Sequence, residues 1–127
     1  MMMTRVLWAG LCCSLLCGCI SNRIVNLTPR QMPRSPDNLY RIEAAWESNE
    51  QALRPETLQG YVVVDRQFHP MERTPNTVNR WEALVPVPPD QRFLNYRFKF
   101  NYMINTIPVP RPDSKLSPVY QLEIIDQ

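Results

Sequence analysis

The sequence predicts an all-β domain in which two antiparallel sheets pack face to face as a sandwich. Apolar and polar residues alternate with a period of two in several short segments, which is the pattern of strands with one buried face. All 13 prolines lie after Cys19, and their spacing excludes long helices because proline breaks a helix interior. Turn-forming residues separate the apolar segments, as expected for strands joined by structured loops.

The segment between the leader and the domain is rich in proline. Residues 19–37 are predicted to form a tether that leads into an edge strand at 24–27. A strand with clear alternation starts at Leu39. Its predicted buried face consists of Tyr40, Ile42, Ala44 and Trp46, and its exposed face of Arg41, Glu43 and Glu47.

A polar loop and a β-hairpin are predicted next. Residues 48–59 are mostly polar and are expected to form a loop, with a helical turn near 55–58. Residues 61–64 and 68–71 flank a turn-prone aspartate, so they predict a hairpin. Because Pro70 has no amide hydrogen, the return strand is expected at a sheet edge.

The two clearest strands follow the hairpin. Residues 81–87 place Trp81, Ala83 and Val85 on one face of a strand. The strongest alternation covers residues 94–105 and predicts a strand of about twelve residues with one aromatic face. That face consists of Leu94, Tyr96, Phe98, Phe100, Tyr102 and Ile104.

The last predicted strand covers residues 119–125. It has the same alternation, and we expect it to pair with the long aromatic strand as an antiparallel hairpin. The expected register brings Lys99 or Arg97 near Glu123 on the solvent face, a contact worth about 0.2–1 kcal/mol.

The connection between these two strands is rich in proline. Residues 107–112 read Ile-Pro-Val-Pro-Arg-Pro. Alternating prolines favour a rigid, extended polyproline II conformation. Such a loop presents Arg111 at a fixed position, so Arg111 is a candidate contact for a partner.

Strands of this number and spacing, about seven in about a hundred residues, are typical of an immunoglobulin-like sandwich. The segments at 61–65, 71–73, 79–83, 85–88 and 96–100 resemble those of early-set immunoglobulin-like modules. That group includes glycogen- and starch-binding modules. The resemblance therefore implies the sandwich fold and, for some members, binding of polysaccharide.

The two tryptophans of the domain have two interpretations. In glucan-binding members of the group, exposed tryptophans contact the sugar, which makes Trp81 a candidate ligand contact. The neighbours of Trp46 and Trp81 on their strand faces are apolar, which favours burial of both indoles. The family's second glucan-binding position is occupied by residues 101–103, which include no tryptophan.

The leader, residues 1–18, has the pattern of a secretory signal peptide. One basic residue is followed by an apolar run and then by a small residue before a cysteine. Leu16, Gly18 and Cys19 match the lipobox of bacterial lipoproteins, whereas Cys17 departs from it. The resemblance implies cleavage before Cys19 and lipidation of Cys19.

The leader has two other interpretations, a membrane-spanning helix and an ordinary secretory signal peptide. A membrane-spanning helix needs about 20 apolar residues, and the run at 6–20 is shorter. An ordinary secretory leader with incidental cysteines is the remaining alternative. Cys12, Cys13 and Cys17 are not preceded by a small residue, so Cys19 is the best acceptor.

The lipobox resemblance also implies a location. In Gram-negative lipoproteins, Asp after the acylated cysteine retains the protein in the inner membrane, and here that residue is Ile20. We therefore expect an outer-membrane protein, lipid-anchored at Cys19, that faces the periplasm or the cell surface. After cleavage no other cysteine remains, so no disulfide can form and packing alone must stabilise the domain.

Length and charge limit the partners. The mature chain, residues 19–127, is long enough for one domain and too short for two, and residues 38–127 are assigned to an immunoglobulin-like sandwich. The full chain has 14 basic and 12 acidic residues, without a block of like charge. That balance argues against a nucleic-acid partner and against a polybasic membrane patch.

Catalytic motifs are missing from the sequence. His69 is the single histidine and has no histidine or cysteine at metal-ligand spacing, which argues against a zinc site. No nucleophile-elbow or phosphate-loop motif occurs. We therefore predict no enzymatic activity, no cofactor and no metal.

Three functions remain as hypotheses. The first is a non-enzymatic interaction or structural module of the cell envelope, attached to the membrane through Cys19, with an envelope protein or a polysaccharide as partner. The second is a polysaccharide-binding module. The third is an accessory subunit of an envelope secretion or assembly complex, which should expose an edge strand that can accept a partner's strand.

Overall fold

The structure is a computed structural model that describes residues 19–126, so the predicted leader at 1–18 lies outside the described residues. The described chain is all-β, as predicted, and has ten strands. They are β1 (Asn22–Asn26), β2 (Gln31–Pro33), β3 (Leu39–Ser48), β4 (Leu53–Val64), β5 (Gln67–Pro70), β6 (Glu72–Arg73), β7 (Arg80–Pro86), β8 (Phe93–Ile104), β9 (Arg111–Leu116) and β10 (Tyr120–Ile125).

Two sheets pack against each other, which confirms the predicted sandwich. The smaller sheet has the strand order β1-β3-β7-β6. The larger sheet has the order β2-β10-β8-β4-β5, and β9 also pairs with β8. The predicted number of about seven strands is too low, because the short strands β2, β6 and β9 lack the alternation that identifies the others.

The core between the sheets consists of the predicted inward faces. In β3 and β7 the alternating residues from Tyr40 to Trp46 and from Trp81 to Val85 are buried. In β8 every second residue from Leu94 to Ile104 is at most 4% exposed, which confirms its predicted aromatic face. Leu122 and Ile124 of β10 complete the core on the larger sheet.

Phe100 of β8 lies at the centre of this core. Its ring centroid is 5.1 Å from that of Trp46 and 5.5 Å from that of Trp81, both on the opposite sheet. Tilted and edge-on aromatic pairs at this separation stabilise a core beyond their buried area. Gly60 of β4 is directly opposite Phe100 in the sheet, and its missing side chain leaves room for the ring.

The predicted loop at 48–59 is wrong in its second half. β4 begins at Leu53, and its pairing with β8 shifts register between Arg54 and Gln59. In this bulge the Thr57 hydroxyl accepts a hydrogen bond from the Met103 N–H at 2.9 Å and donates one to the Arg54 carbonyl at 2.6 Å. The threonine thereby replaces a missing main-chain partner, so no helical turn forms.

The segment predicted as a tether contributes a strand to each sheet. β1 is the expected edge strand and pairs with β3, so that Ile24 lies opposite Trp46. The chain then crosses to the larger sheet, where β2 pairs in parallel with β10. The carbonyl of Arg30 accepts a hydrogen bond from the Glu123 N–H at 2.9 Å, which ties the crossing to β10.

The hairpin predicted from the last two long strands is present, but the predicted register is wrong. β10 pairs antiparallel with β8, and Glu123 lies opposite Phe93 rather than near Lys99 or Arg97. Its carboxylate is 3.5 Å from the Arg92 guanidinium.

The cause of this register is β9, which precedes β10 along the same edge of β8. β9 occupies the part of β8 from Lys99 to Ile104, and one extra residue is accommodated around Ser117 before β10 begins. Ser117 is buried, and its hydroxyl accepts a hydrogen bond from the Phe98 N–H at 2.8 Å. The predicted loop is shorter than expected, because Arg111 already belongs to β9, and the predicted extended polyproline II conformation is wrong because the chain bends at residues 107–109.

We predict that Gly60→Ala destabilises the domain by about 1–3 kcal/mol, the usual cost of overpacking a core. A Cβ at this position would lie 2.7 Å from Cε1 of Phe100, whose ring cannot shift freely between two tryptophans. Denaturant unfolding of the two proteins measures the difference. The double variant with Phe100→Leu should show a coupling that offsets part of the loss, and purely additive effects would contradict the proposed clash.

Candidate functional site

Cys19 is exposed and lies three positions before β1. Its carbonyl accepts a hydrogen bond from the Asn49 side-chain amide at 3.1 Å. The Asn49 amide oxygen in turn accepts from the Ser21 N–H at 2.6 Å. Residues 19–21 are thus fastened to the connection between β3 and β4, while the Cys19 thiol faces solvent and is accessible for modification.

Trp81 does not lie at the surface, so it cannot be the exposed ligand contact that the sequence suggested. It is 5% exposed because it faces inward from β7, and Trp46 is equally buried. The Arg73 guanidinium lies 4.5 Å from the ring centroid of Trp81 and covers it from outside. The core interpretation of both tryptophans is confirmed.

Arg111 is exposed, as expected for a partner contact. It is the first residue of β9 and lies opposite Ile104. Within residues 19–126 no carboxylate lies within ion-pairing distance of its guanidinium. Arg111 is therefore available to an external anion.

The outer face of the larger sheet carries an exposed aromatic side chain, Phe68, next to half-buried aromatic and cationic side chains from other strands. Phe68 on β5 is 53% exposed, and its ring lies edge-on to Tyr61 at 6.0 Å. The Lys99 ammonium lies 5.8 Å from the Phe68 ring centroid. Arg97 follows on the same face of β8, opposite Val63. We call Tyr61, Phe68, Arg97 and Lys99 the aromatic–cationic face.

The charge of this face is unbalanced at its centre. Neither Arg97 nor Lys99 forms an ion pair with any carboxylate in the described part of the chain. The neighbouring outward residues of β4 and β8, Gln59 and Asn101, lie opposite each other and supply amide groups. A shallow groove continues from them towards β9, where it reaches Asp113 and Ser114. Aromatic rings, cations and amides in this arrangement can bind a ligand with flat apolar surfaces and negative charge.

Only the strand register places these residues together. In the sequence Tyr61 and Phe68 belong to one hairpin, whereas Arg97 and Lys99 form the polar side of a different strand. The pairing of Tyr61 with Lys99 across β4 and β8 brings the two sets into contact. The signal in the sequence was Phe68, an aromatic residue in a predicted edge strand, on a face where a polar side chain is usual.

The edges of the two sheets differ in their capacity to accept another strand. On β9, Pro112 has no amide hydrogen, and the Ser114 N–H donates to the Asp113 carboxylate at 2.8 Å. These features protect an edge from further pairing. β1 is more open. The N–H of Leu27 donates to Glu43 of β3, and the carbonyl of Ser21 accepts from Asn49 just after β3. The alternate main-chain groups, those of Ile24 among them, therefore face away from the sheet.

The ionisable groups show few strong interactions. A hydrogen bond from Arg34 lowers the pKa of Asp126, and hydrogen bonds from Ser35 and the Leu39 N–H lower that of Asp37. Burial raises the pKa of Tyr102. Within the described residues, none of the three groups hydrogen-bonds to either of the others.

His69 lies in the edge strand β5 opposite Val62 and is half-buried, as predicted. Between residues 19 and 126 no group of three or more His, Cys, Asp or Glu side chains is placed to hold a metal ion. The same residues include no helix with the length and apolarity needed to cross a membrane. The chain matches no protein-family model, no curated protein and no solved structure.

We predict that Arg34→Gln reduces the pH dependence of stability in acid. The folded-state pKa of Asp126 is lowered by Arg34, so the carboxylate stabilises the fold above its unfolded-state pKa of about 4. This stabilisation is lost as the pH falls through the lower folded-state value. Denaturant midpoints measured between neutral and acidic pH should therefore fall less steeply in the variant.

Arg30→Gln is the matched control, because Arg30 is exposed and forms no ion pair among the residues described. It should keep the wild-type pH profile. If both variants follow the wild type, the contact of 2.8 Å between Arg34 and Asp126 does not persist in solution.

Proposed function

We propose that this protein is an outer-membrane lipoprotein whose sandwich acts as a non-enzymatic interaction module of the cell envelope. The observation that supports this most strongly is the position of Cys19. The cysteine that completes the lipobox-like sequence is exposed, and the folded domain begins three residues later. A lipid on this sulfur would therefore need no rearrangement of the sandwich.

Lipidation at Cys19 would make membrane attachment permanent. Each buried methylene contributes about 0.8 kcal/mol, and a single acyl chain holds a protein only reversibly. The lipobox resemblance implies a diacylglyceryl group on the sulfur of Cys19 and a third acyl chain on its freed amine. Three chains together hold a protein far more tightly than one. The role proposed for the sandwich is to present a surface to other envelope components at a fixed distance from the membrane.

The aromatic–cationic face is the best candidate for that surface. Phe68 and Leu116 are both about half exposed and lie on either side of Lys99, which gives an apolar border to a cationic centre. Exposed apolar clusters of this kind mark interaction sites on soluble domains. Its occupant could belong to either of two partner classes, an envelope protein or a polysaccharide.

One observation favours polysaccharide as the second candidate function. The exposed ring of Phe68 and the half-buried ring of Tyr61 lie near amide groups, an arrangement suited to stacking on sugars and bonding their hydroxyls. The unpaired Arg97 and Lys99 point to an acidic polymer, because guanidinium and ammonium groups pair with carboxylates. In this form the hypothesis depends on Tyr61 and Phe68 and no longer on the buried Trp81.

The accessory-subunit hypothesis has separate support. The free edge of β1 offers main-chain groups to a partner strand, as required for strand addition. It predicts a protein partner bound at β1 rather than a ligand on the aromatic–cationic face.

We predict that Cys19→Ala abolishes labelling with a fatty-acid analogue and leaves an uncleaved or soluble species. The reason is that the thiol is the acceptor of the diacylglyceryl group in the lipobox family. Metabolic labelling with an alkyne fatty acid, followed by fractionation of membranes, measures both effects. The fold should be unchanged because the Cys19 side chain is exposed.

Cys17→Ser is the control for this experiment, since Cys17 lies two residues before Cys19, in the leader, and follows Leu16 rather than a small residue. It should retain both labelling and membrane attachment. Unchanged labelling of the Cys19→Ala protein would show that the lipoprotein assignment is wrong.

We predict that Phe68→Ala and Tyr61→Ala each weaken retention by an acidic polysaccharide such as alginate in affinity electrophoresis. Stacking of an aromatic side chain on a ring contributes about 1 kcal/mol, so the affinity should fall roughly five- to tenfold. Leu84→Ala is the matched control, because Leu84 is 54% exposed on the outer face of the other sheet. Equal retention of all variants, or equal retention by neutral dextran, would contradict an acidic ligand on this face.

A further inference from the structure

Four segments lie together at the end of the sandwich that carries Cys19. They are residues 19–21, 49–52, 74–79 and 105–110, and we call this region the anchor end. Main-chain hydrogen bonds connect the segments to one another and to the strand ends. The Asn49 N–H donates to the Ser21 carbonyl at 3.1 Å, the Asn105 N–H to the Ala52 carbonyl at 2.8 Å, and the Trp46 N–H to the Asn79 carbonyl at 2.9 Å.

The anchor end has the most exposed aliphatic side chains in the described structure. Ile107 is 100% exposed, Val78 is 92%, Ile20 is 70% and Val109 is 64%. Every other large hydrophobic side chain between residues 19 and 126 is less exposed than these four. They come from three different segments, so the apolar character belongs to the whole end rather than to one loop.

The two ends of the sandwich also differ in charge. The four segments of the anchor end contain one charged residue, Glu50. Its carboxylate accepts a hydrogen bond from the Asn22 amide at 2.7 Å. The segments at the opposite end are residues 34–38, 65–66, 87–92 and 126. They contain seven charged residues, namely Arg34, Asp37, Asp65, Arg66, Asp90, Arg92 and Asp126. A low-charge, apolar end opposite a charged end is the polarity expected of a domain that lies on a lipid surface.

Arginines form the next layer behind the apolar side chains. Arg80 is the first residue of β7 and Arg111 is the first of β9, and neither forms an ion pair in the described part of the chain. Arg23 and Arg54 occupy similar positions on β1 and β4, where they pair with Glu47 and Glu56. Guanidinium groups bind phosphate through two parallel hydrogen bonds, so Arg80 and Arg111 are suited to lipid headgroups.

The apolar loop at 105–110 is ordered by its own sequence. Pro108 and Pro110 restrict the main chain, and the Thr106 hydroxyl donates a hydrogen bond to the Val109 carbonyl. A loop that is already ordered loses little conformational entropy when it enters a membrane. The exposed side chains of this loop are therefore held in fixed positions at the surface.

We propose that the anchor end rests on the phospholipid surface, with Ile20, Val78, Ile107 and Val109 in the interfacial region and Arg80 and Arg111 at the phosphate groups. This inference rests on the proposed lipidation of Cys19. Because Ser21 is bonded to Asn49, the acyl chains would enter the bilayer directly beneath the sandwich. The strands would then stand on the membrane, and the charged end would point away from it.

The test uses the full-length lipoprotein in vesicles of phosphatidylethanolamine and phosphatidylglycerol. With Cys19 acylated, an introduced cysteine is the single thiol of the mature chain, so it can be labelled with an environment-sensitive fluorophore. The probe positions are Ile107→Cys and Val78→Cys at the anchor end. The control is Asp90→Cys in a turn at the opposite end. Quenching by nitroxide-labelled lipids then reports contact of each position with the bilayer.

We expect probes at 107 and 78 to be quenched and shifted to shorter emission wavelength, and the probe at 90 to behave as in water. Adding Val109→Asp should reduce quenching at 107, which excludes insertion driven by the fluorophore alone. If the probes at 107 and 78 are quenched no more than the probe at 90 while the protein is in the membrane pellet, this inference is overturned and the lipid anchor stands. If the wild-type protein stays in the supernatant, the lipid anchor itself is wrong.

Discussion

The fold depends on the contact between Phe100 and the tryptophans of the opposite sheet. The ring lies between Trp46 on β3 and Trp81 on β7, so one side chain connects the central strands of both sheets. That position requires Gly60 on the neighbouring strand, and it requires both indoles to face inward. With no disulfide in the domain, this aromatic contact supplies the cohesion that a covalent link between sheets would otherwise provide.

The sequence was sufficient to predict strands that have one buried face. β3, β7, β8 and β10 alternate clearly because each packs one side on the core, and the assignment of Trp81 to that core followed from its apolar neighbours. β9 has no such pattern because all its residues are exposed. The start of β4 was missed because its bulge breaks the alternation, and the hydroxyl that repairs the ladder, that of Thr57, bonds to a residue 46 positions away.

The candidate surfaces were harder to predict, since both depend on distances between segments that are far apart in the sequence. Cys19 and Arg111 could be identified from local patterns, but their presence at the same end of the sandwich depends on strand direction. The aromatic–cationic face depends on register, and one additional residue around Ser117 is enough to alter which side chains are neighbours. The pattern of residues within a single strand does not specify this register.

If the chain is held on a membrane as proposed, the protected edge of β9 has a further consequence. Copies that share one anchor point and one orientation present the same strand edge at the same height, and confinement to a plane raises their effective concentration. An unprotected six-residue strand in that geometry would favour chain-to-chain pairing across the whole layer. The missing amide hydrogen of Pro112 and the occupied one of Ser114 would oppose such pairing through β9, which leaves β1 as the more open edge.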